Sequence, residues 1–204
     1  ALAQSNTTGA EQHWHFNVFL DGKAIGYHNY DLTQTADNTE IDIKAEFDVK
    51  FLFISVYDYL HTNHEVWKGD CLSSLSSNTD DNGDKVFVKL SSANNVHTIQ
   101  TPNSSLTITE CLRSFAYWNP DLLKNTRLLN AQTGEVADVQ FSHVGKEGIT
   151  INKQPINNAE HYRIKGKDLE IDLWYSANKD WLALQSVTDG GHVLRYERQA
   201  KELQ

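Results

Sequence analysis

A chain of 204 residues is long enough for one sizeable hydrophobic core. With 39% hydrophobic residues and no apolar run near the roughly 20 that cross a bilayer as a helix, a helical membrane span is excluded. A formal charge of -9 with scattered Lys and Arg argues against a phosphate-gripping face, so nucleic acid is not an expected partner.

The chain opens Ala1-Leu2-Ala3, a small-x-small pattern like that of a secretory cleavage site, and contains no Met. Export is the expectation, to a periplasmic or secreted location, with chance as the alternative reading of three residues. Residues 1–11 are polar and aperiodic and read as a flexible leader; residues 12–204 read as a single antiparallel β domain.

Trp14, Phe16, Val18 and Leu20 alternate with polar or mixed positions, and Asp21-Gly22 supplies the positive-φ residues of a tight hairpin turn. The return strand runs to about Thr33. Next comes the clearest signal in the chain: Ile41, Ile43, Ala45, Phe47, Val49, Phe51 and Phe53 alternate with charged residues as in a long half-buried strand. The alternation breaks at Leu52-Phe53-Ile54, where a bulge or a doubly buried stretch is expected. Val56 to Leu60 continues as strand.

A strand over 64–76 leads into the turn-rich 78–84 segment, and residues 85–91 pair back. One more strand near 95–101 precedes 104–123, whose spacing predicts the one helical segment, interrupted at Asn119-Pro120. From Gly134 onward, strands at 135–144, 147–152, 159–165, 168–175, 180–188 and 192–198 follow one another like a meander. The fold class is therefore all-β with a minor α part: an antiparallel, strongly curved sheet or barrel with a short helical segment near 104–123. A two-sheet sandwich competes with it.

Cys71 and Cys111 lack the Cys-x-x-Cys spacing of zinc or redox sites. A single disulfide between them would close a loop of about 40 residues, with a chain-entropy contribution of about 3–4 kcal/mol. Two buried free thiols are the other reading.

Several stretches carry a family resemblance. They are Trp14-x-Phe16-x-Val18-x-Leu20-Asp21-Gly22-Lys23, the run from Val56-Tyr57 to Glu65-x-Trp67, Leu128-Leu129-Asn130-x-Gln132-Thr133-Gly134-Glu135, Asp172-Leu173-Trp174-Tyr175, and the close from Gly190-Gly191 to Tyr196. Together they resemble a family of exported bacterial proteins defined only as a domain of unknown function. The resemblance implies an all-β envelope protein and assigns no activity or catalytic residue. A looser likeness of fold is to periplasmic lipid-carrier or lipocalin-type β proteins.

The aromatic set Phe47, Phe51, Phe53, Tyr57, Tyr59, Trp67, Phe115, Tyr117 and Trp118 is the candidate wall of a ligand cavity, although an ordinary packed core would use the same residues. His13-x-His15 places two imidazoles on one strand face, and His61-x-x-His64-Glu65 gathers further metal-competent groups. Neither is a full metal signature, so no metal and no cofactor is assigned. Asn78-x-Asp80-x-Asn82-Gly83 copies the front half of a calcium loop, but position twelve is Lys89, and a solvated hairpin tip is expected.

The chain has no nucleophile elbow, phosphate-cradling glycine loop or His-Glu-x-x-His. Three functions compete. The first is a binding module holding a lipid or other apolar small molecule inside a barrel; the second is a structural or protein-interaction module of the envelope. A hydrolase or isomerase using His61 and Glu65 is the third.

Overall fold

The computed structural model describes residues 9–51 and 54–200. The first half of the chain forms eight successive strands: β1 (Ala10–Leu20), β2 (Lys23–Gln34), β3 (Thr39–Phe51), β4 (Ile54–Lys68), β5 (Cys71–Asp81), β6 (Asp84–Ala93), β7 (Val96–Gln100) and β8 (Ser105–Ile108). Short β9 (Arg127–Leu129) and β10 (Val136–Asp138) pair only with each other. The chain closes with β11 (Gln140–Ile151), β12 (Gln154–Gly166), β13 (Leu169–Tyr175), β14 (Trp181–Val187) and β15 (Val193–Arg198).

Local chemistry fixes the hairpins. Asp21-Gly22, Asn82-Gly83, Asn94-Asn95 and Asn152-Lys153 all have positive φ at both central positions, the geometry that matches strand twist and favours Asn, Asp and Gly. Gly26 is required for a different reason. Its φ is +156°, and a Cβ there would stand 1.9 Å from the Glu46 carbonyl oxygen, so β2 can approach β3 only with glycine at this point.

The thirteen longer strands make one antiparallel sheet in the order β11-β12-β13-β14-β15-β1-β2-β3-β4-β5-β6-β7-β8. Two meanders are thus stitched together through the ladder of β1 with β15, where Phe16 faces Arg198 and Val18 faces Tyr196. The edges are β8 and β11, and they flank the 109–139 segment in sequence. That segment must therefore pass from one edge of the sheet to the other.

It does so across the concave face, as a strap. Cys111 is disulfide-bonded to Cys71, and the Leu72 N–H donates to the Leu112 carbonyl at 2.9 Å. Further along, the Ser77 hydroxyl donates to the Ala131 carbonyl, and the Tyr175 hydroxyl donates to the Tyr117 carbonyl at 2.8 Å. Leu112, Leu122, Leu128 and Leu129 are buried in the same core as Phe16, Ile41, Trp67 and Trp181. The rolled sheet and its strap share one hydrophobic core.

The segment expected to be helical is the main correction. Residues 105–108 pair with β7 as β8, and a 3₁₀ turn, Pro120–Lys124, is the one helical element among the described residues. Pro120 starts that turn and Asn119 caps it, accepting from the Asp121 N–H at 3.0 Å. Ser104, Ser105, Thr107 and Thr109 favour neither helix nor strand strongly, and pairing with an available edge decided for strand.

A second difference concerns Gly145 and Gly148, expected to end a strand. They bend one instead. β11 is continuous, with register shifts between His143 and Gly145 and between Glu147 and Ile149. The bent β11–β12 hairpin lies over the outer face, covering Trp174, Leu182 and Ala183 with Ile151 and Ala159. Asn152 at its tip donates from its N–H to Glu197 at 2.9 Å, and the Trp174 indole donates to Glu147 at 2.6 Å.

The disulfide has Cα atoms 5.3 Å apart, within the range an unforced bridge needs. Reduction should raise the intact mass by about 2 Da. Cys71→Ser should lower the unfolding free energy by about 2–3 kcal/mol, because the backbone bond at Leu72 still tethers the strap. A denaturant midpoint unchanged by the substitution would refute the bridge's contribution to stability.

Candidate functional site

Beneath the strap lies a cavity of about 1160 Å³. Its rim includes the exposed Ser104, Lys167 and Asp168, while Ile43, Ile99, Ile171 and Leu184 supply apolar wall. The polar side of the wall comes chiefly from β4. There the inward positions read Tyr59, His61, Asn63, Glu65 and Trp67, all buried, while Leu60, Thr62 and His64 between them are exposed. An inner sheet face is ordinarily apolar. This one carries an imidazole, an amide and a carboxyl in a row.

Glu65 is 1% exposed and accepts three hydrogen bonds: from Asn63 Nδ2 at 2.8 Å, Trp67 Nε1 at 2.9 Å and Ser114 Oγ at 3.0 Å. Burial pushes its carboxyl above the usual carboxylate range, against the pull of those three donors. His61 shares a hydrogen bond with the Thr79 hydroxyl at 2.8 Å, and burial pushes its imidazole down to about 4. His28, on β2, stacks on Tyr30 and is pushed down to about 3 by burial and then by His61. Both imidazoles are neutral at neutral pH. Burial also holds the phenols of Tyr30, Tyr117 and Tyr196 above their ordinary value, so they remain hydroxyls.

Two atoms of this wall have no hydrogen-bond partner among the described residues although they are buried: His28 Nε2 and Asn63 Oδ1. Tyr59 Oη, next along β4, is in the same condition. Leaving such a group unsatisfied costs about 1–3 kcal/mol.

The aromatic residues expected to line a cavity stand around it. Phe47 is half-buried and stacks on Tyr59 with centroids 5.1 Å apart, and Tyr57 is half-buried one step further towards the start of β4. Trp67 is fully buried beyond Glu65 and meets Trp118 edge-on at 5.7 Å. None of these five forms the wall of the large cavity; of the expected set Phe115 and Tyr117 do, together with His28 and Tyr30. Phe53 and the side chain of Phe51 lie outside the described residues.

His61 and Glu65 do share a face and a cavity. Four residues apart on one strand, they stand roughly 13 Å from each other, beyond direct proton transfer. His64 points to the outer face, where it meets Asp42 at 2.8 Å, so the three metal-competent groups of this stretch are divided between two faces. The calcium-like stretch is the exposed β5–β6 hairpin tip, in which the Asp80 carboxylate accepts from the Gly83 N–H. His13 and His15 face outward and converge on Asp31.

Sequence reading names His61 and Glu65 but does not join them with Asn63 as one polar row of a cavity wall, although period-2 continuation from Tyr57 assigns all three to the inner face. It misses Ser114 of the strap, whose position depends on the path between two sheet edges.

A comparison with curated proteins finds no match. Among solved structures, the chain is similar to a beta-barrel-like protein of domain of unknown function DUF1849 from Brucella abortus. The TM-score is 0.67 at 9% identity, over 94% of this chain and 96% of that one. At that identity the likeness concerns fold alone, and it agrees with the rolled sheet described above. Residues 16–199 match the family described as Domain of unknown function (DUF6134), so this chain, with the curled antiparallel sheet anticipated for it, belongs to the DUF6134 family.

Proposed function

We propose that the protein is a binding module of an exported, oxidising compartment that holds one amphipathic, lipid-like molecule beneath the strap. The observation that carries this reading is the pair of unsatisfied polar atoms, His28 Nε2 and Asn63 Oδ1, in the wall of a cavity of about 1160 Å³. Both atoms are enclosed in the cavity wall, and a turn of the imidazole or the amide brings them to a bound polar group that removes the cost of leaving them unsatisfied. Ile43, Ile99, Ile171 and Leu184 would take the apolar part of the same molecule. Because the two imidazoles are neutral and Glu65 is the sole acid among these groups, hydroxyl, amide or amine heads suit the site better than anionic ones. The Cys71–Cys111 bridge supports the oxidising compartment.

Native mass spectrometry of the purified protein should show a retained small molecule that solvent extraction removes. The extracted protein should then bind the uncharged apolar dye N-phenyl-1-naphthylamine saturably, and Ala137→Trp, which projects into the cavity wall, should abolish binding while the far-ultraviolet spectrum is unchanged. A clean apo mass together with dye binding indifferent to Ala137→Trp would defeat the proposal and leave the interaction-module reading in its place.

His28→Phe gives a second expectation. The ring keeps its place against Tyr30, 4.6 Å away, and the unsatisfied nitrogen is gone, but so is the 3.3 Å bond between His28 Nδ1 and the buried Tyr196 hydroxyl. The two effects oppose each other, so the extracted protein should change by less than about 1 kcal/mol in stability while ligand retention falls. A loss of about 2 kcal/mol or more would show that His28 is a structural member of the core.

A further inference from the structure

On the outer face, away from the cavity, β1 and β2 bring two imidazoles to one carboxylate. His13 Nδ1 and His15 Nε2 each stand 2.7 Å from Asp31 Oδ1, and the three ligand atoms lie within 4.8 Å of one another. The strand register produces this. His13 is directly opposite Asp31 in the ladder, and His15 is two residues on, hence on the same face.

The register also puts Asn29 opposite His15. Its Oδ1 is buried with no hydrogen-bond partner among the described residues, and Asn29 lines the same outer groove as His15. A turn of this amide would bring its acceptor to a metal-bound water beside the two-imidazole, one-carboxylate set.

We propose that His13, His15 and Asp31 form a binding site for a divalent transition-metal ion of the zinc, nickel or cobalt type, with water completing the coordination and Asn29 accepting from it. Two nitrogens and one oxygen suit these ions better than magnesium or calcium, which prefer oxygen alone. With metal bonds of about 2.0–2.2 Å, neighbouring ligand atoms sit about 3.0–3.5 Å apart. The present spacing therefore needs adjustments of up to about 1.5 Å, which the half-exposed His13 and Asp31 side chains share. The Arg198 guanidinium lies over the inward-facing Trp14 and Phe16 rings, on the other side of the sheet.

Isothermal titration of the tag-free protein with zinc chloride should give saturable one-to-one binding, and cobalt(II) should give visible d–d absorption that zinc displaces. Removing even an outer partner of a ligand weakens metal binding on the order of 10–100-fold, so His13→Ala and Asp31→Asn should each weaken zinc by at least about tenfold. His143→Ala, which breaks the His143–Glu160 pair between β11 and β12, should leave affinity unchanged. Circular dichroism and melting curves identify any variant that fails to fold; should His13→Ala do so, the near-isosteric Asp31→Asn carries the test. No saturable binding by the parent protein, or equal zinc affinity in parent, His13→Ala and Asp31→Asn, would overturn the site.

Discussion

Phe16→Ala should lower the unfolding free energy by about 3–5 kcal/mol, whereas Phe47→Ala should cost roughly half as much. Phe16 has no exposed surface and is enclosed by aromatic rings, with Trp181 at 4.2 Å and Tyr30 and Tyr196 at 6.3 and 6.2 Å between centroids. Those rings come from β2, β14 and β15. Truncation therefore opens a void at the seam where the two meanders join, and rigid neighbours on three strands collapse poorly into it. Phe47 is only half-buried, and its principal aromatic contact, Tyr59, lies along one side. The space left by Phe47→Ala is already part open, so less packing is lost. Urea unfolding of the two variants beside the parent measures both terms. Equal losses would mean that Phe47 belongs to a filled core, and a Phe16 loss under about 1.5 kcal/mol would mean that the seam does not hold the sheet together.

The strands were legible wherever one face was apolar and the turn residues were Asn, Asp or Gly. Ile41 to Val49 fixed β3, and Asp21-Gly22 fixed the first hairpin, because period-2 burial and positive φ are local properties. Legibility failed where tertiary context decides. Gly145 and Gly148 carry the same local preference in a turn as in a bulge, and only the outer cluster around Trp174 makes the bulge the better choice. The cavity wall was legible only in part for a related reason: Phe115 and Tyr117 line it while Phe47, Tyr59, Trp67 and Trp118 do not, because aromatic residues are also what close packing uses most. The better sign was polar residues at inward positions, His61, Asn63 and Glu65, where the apolar alternation lapses without the strand ending. Asp31, which completes the outer histidine pair, could be reached only through the register of β1 with β2.

Acidification from pH 7 to pH 4.5 should remove about 3–5 kcal/mol of stability through His28 and His61. The folded state holds these imidazoles down, His28 to about 3 and His61 to about 4, because burial disfavours their charged forms, with His61 adding to the effect at His28. In the unfolded chain both titrate near 6.5. Below that pH the unfolded chain takes up two protons that the folded chain refuses, so unfolding gains about 1.4 kcal/mol per group for each further pH unit. The stability they contribute is complete above about pH 6.5 and is lost as pH falls towards their folded values. Glu65 acts in the opposite sense, since burial raises its carboxyl against the bonds from Asn63, Ser114 and Trp67. Above pH 4.5 it favours the folded state as acid is added and offsets part of one histidine. His28→Phe should therefore flatten the acid limb by about half, and Glu65→Gln should steepen it. Urea midpoints taken at half-unit intervals between pH 4.5 and pH 7 give the slopes. If parent and His28→Phe share one slope, His28 is not a neutral, buried member of the cavity wall, and the amphipathic pocket built on its unsatisfied nitrogen loses its main support.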